Sequence, residues 1–185
     1  MSFASDNYWS KKMDVVLSDY WKHLAFEGRY IFTNSKMLQQ TLGIDVIIQL
    51  GSNDKEITID TKHSRGSFDA VLLEAMSCTV KGKEKEGWGI KEEGRPDYIM
   101  HVMHDLCKGC NLNCSTCEYT ASHITKAFIT SAEGILQWYR PLFFSKQLSS
   151  FKSFTTEQLN RTHGHIIPLR VAMKELGTTV CNLKH

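Results

Sequence analysis

Ile44-Asp45-Val46-Ile47-Ile48-Gln49-Leu50, then Gly51-Ser52-Asn53-Asp54, then Glu56-Ile57-Thr58-Ile59-Asp60-Thr61-Lys62-His63-Ser64 form the stretch from which the rest of the chain can be placed. The first run is apolar and β-branched, the second is turn-forming, and the third alternates apolar with polar, which predicts a β-hairpin. A turn centred on Ser52-Asn53 places Asp45 across from Asp60. Two carboxylates facing each other at roughly 5 Å repel, unless a cation sits between them. Side chains two apart on a strand share a face, so Lys62 points the same way as Asp60. Asp-Thr-Lys alone is an ordinary solvated strand face. Asp45 adds weight to the pattern, because an acid among buried neighbour types needs a partner or a metal.

At 185 residues, 42% of them hydrophobic, the chain suits a single domain over 1–185 with a real core. A net charge of +2 is too small to announce a nucleic-acid binder, so any basic footprint must be local. The first residues lack the basic-then-apolar layout of a signal peptide, and no apolar run approaches the ~20 residues of a membrane span. The expectation is a cytoplasmic protein that does not engage membrane. In that reducing setting the six cysteines are not expected to form disulfides, so clustered ones call for a metal.

Four of them, Cys107-x2-Cys110-x3-Cys114-x2-Cys117, fall in one short segment and can close a tetrahedron around zinc. Such a zinc would be structural, since four protein ligands leave no open position. A rival reading uses Cys110, Cys114 and Cys117, whose spacing resembles the CxxxCxxC loop of radical S-adenosylmethionine enzymes, with an iron–sulfur cluster. That family needs more chain downstream than 118–185 supplies, and Cys107 would have no role. Cys78 and Cys181 stand apart and read as packed or free thiols.

Apolar positions at Met13, Val16, Leu17, Tyr20, Trp21 and Leu24 predict a helix over 10–28. Strands are expected over 68–80, 96–103 and 123–130, with a charged exposed turn at 81–87. Ser131 is placed as the N-cap of a helix that Pro141 ends or bends. Pro168 and Gly177 frame a short helix over 169–176. Trp138 and Tyr139 read as core, and His163-Gly164-His165 as surface. The fold class is α/β (α+β mixed), a central mixed sheet flanked by helices with a small four-cysteine insertion at 107–117.

A leading helix, a hairpin carrying an acid and then Asp-x-Lys, a third strand, and a later strand–helix unit resemble the PD-(D/E)xK nuclease superfamily, the restriction-endonuclease-like fold. The resemblance covers about residues 13–143. Asp45 matches the first acid, Asp60 the second and Lys62 the lysine, while Ile44 stands where the name-giving proline would precede the first acid. Glu74, Gly87-Trp88-Gly89-Ile90-Lys91 and Pro96-Asp97-Tyr98-Ile99 look like what small members carry after the motif.

The resemblance implies a magnesium-dependent endonuclease acting on DNA, duplex or branched, and a homodimer where both strands are cut. Asp45 and Asp60 would hold the magnesium with the carbonyl of Thr61, and Lys62 would hold or help deprotonate the attacking water. Glu74, an acid among apolar residues, is a further catalytic candidate or a salt-bridged glutamate at the core edge. Asp19 or Glu27 would be the acid that some members place on the leading helix. Lys62, His63, Arg65, Lys81, Lys83, Lys85, Arg161, His163, His165 and Arg170 are the groups available to neutralise phosphates. The second function class is a non-catalytic zinc-bearing module that binds nucleic acid, its acids structural.

Overall fold

The computed structural model describes residue 17 and residues 29–32, 44–50, 55–65, 68–78, 82–104, 124–155 and 161–181. These build a sheet-rich α+β architecture. Strands β1 (Arg29–Phe32), β2 (Val46–Leu50), β3 (Lys55–Arg65), β6 (Tyr98–His104), β7 (Ile124–Ser131) and β10 (Thr179–Cys181) form one sheet in the order β1-β2-β3-β6-β7-β10. Strands β4 (Ala70–Cys78), β5 (Glu84–Glu86), β8 (Lys152–Thr155) and β9 (Arg161–Pro168) form a second, in the order β5-β4-β9-β8. Helices α1 (Ala132–Phe144) and α2 (Leu169–Glu175) accompany them. Among the described residues the strand pairs are antiparallel except β3 with β6, which run parallel.

The hairpin forms as its pattern requires, with Val46 opposite Ile59 and Ile48 opposite Ile57. β4, β6 and β7 occupy the stretches expected to be strands, and the Ser131 hydroxyl caps α1 by accepting from the Gly134 amide at 3.2 Å. Other expectations need correction. Pro141 does not itself end α1, which continues one turn to Phe144, because a proline so near the C-terminus forfeits a single helical hydrogen bond, and the Ser145 amide still closes onto the Pro141 carbonyl at 3.0 Å. The charged stretch at 81–87 includes β5, an exposed edge strand paired with β4. The stretch around His163 and His165 is strand β9, and His165 is 9% exposed rather than a surface group. The helix expected over 10–28 lies outside the described residues except for Leu17, which is helical and buried. The turn at 51–54 and the cysteine segment 107–117 also lie outside them.

The central sheet has helical residues on both faces, but a second sheet joins α1 in covering one of them. Val71, Leu73 and Ala75 of β4 pack with Ile99 and Met103 of β6, Phe128 of β7, and Ile135 and Tyr139 of α1. The opposite face buries Leu17, Val46, Ile48, Ile59, Met100, Val102 and Ala127. β6 therefore sends alternate side chains into two cores. This is why Tyr98-Ile-Met-His-Val-Met103 reads as a nearly unbroken apolar run.

Tyr139 ties the layers together. Its hydroxyl lies 3.1 Å from the Leu73 carbonyl and 2.8 Å from His165 Nδ1. A carbonyl can only accept, so the hydroxyl donates to Leu73 and accepts from a His165 that carries its proton on Nδ1. Among the described residues no helix is long and apolar enough to cross a membrane.

Gly164 marks the tightest strand contact in the second sheet. A Cβ there would lie 2.1 Å from the Leu73 carbonyl oxygen and 2.8 Å from Phe154 Cζ. Gly164→Ala should cost about 3 kcal/mol, read as a lower urea midpoint at unchanged slope. A midpoint equal to that of the wild type would show that β9 is not held this closely between β4 and β8.

Candidate active site

The parallel pairing of β3 with β6 sets Asp60 beside Ile99 and Lys62 beside His101. By strand alternation Asp60, Lys62 and His101 share the face turned toward the second sheet. Asp60 is 4% exposed and His101 0%, so this is an interior polar cluster rather than a solvated strand face. The Lys62 ammonium contacts Asp60 Oδ2 at 2.7 Å, with the Lys62 side chain 35% exposed.

Asp45 departs from the position its spacing predicted. Its amide donates to the Ile59 carbonyl at 2.9 Å, one step off the Val46–Ile59 pairing, so Asp45 does not continue the ladder opposite Asp60. The Asp45 carboxylate instead accepts from the Thr61 amide at 2.8 Å and the Thr61 hydroxyl at 2.9 Å. It takes the place of a strand partner where β2 ends. The two acids nevertheless remain coupled, since Asp45 raises the Asp60 pKa through both charge repulsion and a hydrogen bond.

Burial dominates the electrostatics of Asp60. It pushes the carboxyl from 3.8 up to about 7, against the opposing pull of Lys62 and with the help of Asp45. For Lys62 burial works against the charge, but Asp60, Asp45 and Glu74 together outweigh it and raise the pKa. Lys62 therefore stays an ammonium, a donor rather than a base. Glu74 is raised by burial and drawn down by Lys62 and Lys85, so the edge strand β5 that carries Lys85 is electrostatically continuous with the site.

A Gly-Trp-Gly turn places the aromatic cover. The Gly87 amide donates to the Ala75 carbonyl at 2.7 Å and the Gly89 amide to the Glu74 carbonyl at 2.8 Å. A Cβ on Gly87 would sit 2.5 Å from Glu74 Cγ, and one on Gly89 would sit 2.6 Å from the Glu74 carbonyl oxygen, so neither position has room for a side chain. Between them Trp88 lies with its ring centroid 6.0 Å from Lys62 Nζ and 5.6 Å from the His101 ring. His101 in turn has Nε2 3.0 Å from the Leu72 carbonyl, a bond between the two sheets. His101 was not singled out from the sequence; one histidine in an apolar strand was the only signal there to find it.

Asp45, Asp60 and Lys62 are thus brought together, with Glu74 in electrostatic reach. Lys83 and Lys85 are exposed on or beside β5, and Arg161 and Arg170 are exposed on β9 and α2. Asp19, Glu27, Lys81 and the four clustered cysteines lie outside the described residues. A cavity of about 320 Å³ near the start of β3 is lined by Glu56, Asp97 and Glu133 along with Arg95, an acidic balance unsuited to phosphate.

Among the described residues no three histidine, cysteine, aspartate or glutamate side chains converge at metal-ligand spacing. Magnesium is commonly bound by one or two carboxylates with water completing the shell, so Asp45 and Asp60 form a suitable donor set. Asp60, kept near neutrality by burial beside a second carboxylate, is a group that a divalent cation would stabilise in its charged form. No family model, curated protein or solved structure matches the chain.

The sign of the Asp60 shift makes a stability prediction for metal-free buffer. With the folded pKa near 7 and the ordinary value at 3.8, the folded state holds the extra proton between those limits. Stability contributed by this group is complete below the lower limit, falls as pH rises, and is lost above the upper one. Asp60→Asn should therefore raise the melting temperature relative to wild type by about 3 °C or more at about pH 8, and by less at about pH 5. A variant advantage independent of pH would show that the Asp60 pKa is not raised.

Proposed function

We propose that this chain is a magnesium-dependent endonuclease that hydrolyses phosphodiester bonds in DNA, with a core of the restriction-endonuclease-like type. The observation that carries the reading is the buried Asp60 held 2.7 Å from the Lys62 ammonium, with Asp45 electrostatically coupled to it. The element order adds support. A hairpin bears the first acid at its edge and Asp-x-Lys on its second strand, β4 follows, and β7 leads into α1. β4 joins the second sheet rather than the first, a departure from a single flanked sheet.

Asp45 and Asp60 would hold the magnesium, which when bound supplies neutralisation of the phosphorus oxygens and a more acidic water. The remaining work falls to the protein. In the reaction a water oxygen bonds to phosphorus and gives its proton to solvent, while the phosphorus bond to one sugar oxygen breaks and that oxygen takes a proton from water. Lys62, kept charged by its three acidic neighbours, donates to the incoming oxygen and stabilises the charge that builds on the phosphoryl group. Glu74 keeps a negative counterweight near Lys62 without being one of its bonded partners. Trp88 and the second sheet cover the inner side of the cluster, while the Lys62 side chain keeps contact with solvent. The four-cysteine segment, as a structural zinc module, would present Lys108 and its neighbours to a phosphate backbone.

Purified protein with magnesium should cut duplex or branched DNA, and Lys62→Ala should lower kcat by about a thousandfold while retaining the wild-type circular dichroism spectrum. No cleavage across a broad panel of DNA substrates would sink the nuclease reading and leave the nucleic-acid-binding module. Independently of activity, magnesium should raise the melting temperature of the wild type, and Asp45→Asn should abolish that rise. Metal analysis of protein prepared without oxygen should find about one zinc per chain and no visible colour; iron with sulfide would replace the zinc assignment.

A further inference from the structure

We propose that His101 is a positioning residue for the attacking water, holding it through Nδ1 against the Lys62 ammonium. The inference deepens the nuclease reading and rests on it for the identity of the water. The Leu72 carbonyl 3.0 Å from Nε2 can only accept, so Nε2 carries the hydrogen. Burial holds the pKa of this imidazole down at about 4, so the ring has one N–H and Nδ1 is a bare acceptor at working pH.

That acceptor is fully buried, and no described residue donates to it. A buried acceptor left without a donor costs on the order of 1–3 kcal/mol, and such groups are satisfied by protein or by ordered water. Lys62 is the register neighbour of His101 on the adjacent parallel strand and the same face, and its positive charge is felt by the imidazole. Trp88 lies against both groups. Lys62 has one N–H committed to Asp60 and two more to give. A water between them accepts from Lys62, donates to His101 Nδ1, and keeps an oxygen lone pair for phosphorus. As an imidazole that resists protonation, His101 orients this water and does not take its proton.

Two substitutions separate this role from that of a clamp between the sheets. Gln extends its amide to about the place of Nε2 and can keep the bond to Leu72, whereas Asn places an amide oxygen near Nδ1 and gives up that bond. His101→Gln should keep close to the wild-type melting temperature yet lose about a hundredfold in kcat with KM little changed. His101→Asn should melt lower and recover most of the lost kcat per folded molecule. Wild-type kcat in His101→Gln would overturn the proposal, as would equal losses of rate and stability in both variants.

A measurement without activity keeps the two readings distinct. Nitrogen-15 NMR of histidine-labelled protein should show His101 with Nε2 protonated and Nδ1 accepting a hydrogen bond, and Lys62→Met should shift the Nδ1 signal. Protein that shows this pattern but cuts no DNA retires the nuclease reading and retains the held water. Protein that cuts DNA with a protonated Nδ1, or with an Nδ1 that accepts nothing, retires the role of His101 alone.

Discussion

Parallel pairing of β3 with β6 is the constraint on which the rest of the structure depends. Antiparallel neighbours can be joined by a tight turn, but parallel ones need a crossover long enough to bring the chain back to the starting end. Such crossovers are usually helical. Here residues between Arg65 and Tyr98 include β4 and β5, so the return path itself becomes part of a second sheet laid over the first. The polar side chains of β3 are enclosed for that reason. Asp60 and Lys62 would face water on an open sheet; under β4 and the Gly-Trp-Gly turn they share an interior with His101 and Trp88.

Enclosure decides which electrostatic effect wins. On a surface, an aspartate beside a lysine would sit below its ordinary pKa and the pair would contribute little to stability. Here desolvation of Asp60 exceeds the attraction of Lys62, and the nearby Asp45 adds to the imbalance. The site is left with a carboxyl that binds a proton near neutrality. Its cost in stability is tolerated because two cores hold the strands on both faces.

Much of this was readable before the fold was known, because the hairpin pattern is local. Alternation in 56–64 fixed which side chains share a face, and the Ser131 cap and the framing of α2 by Pro168 and Gly177 follow from rules that span a single turn. Asp45 does not face Asp60 as its spacing predicts, since the chain just before β2 slips by one position at Ile59. His101 was missed for a different reason. Its relation to Lys62 exists only through a parallel pairing 39 positions apart, and periodicity within β6 cannot reveal it. β8, β9 and β10 are short or richly polar, and became strands through the partners they found.

The pairing of β4 with β9 joins Ala70 to Pro168 across more than half of the chain. During synthesis β4 emerges long before that partner exists, and non-local strand pairing is slow compared with local structure. The cover over Asp60 and Lys62 therefore closes only after β9 is available. A nascent chain carries the acids and the lysine on its hairpin but lacks the dry interior that gives them their altered protonation. Whatever chemistry the cluster performs is withheld until β9 has emerged and paired with β4.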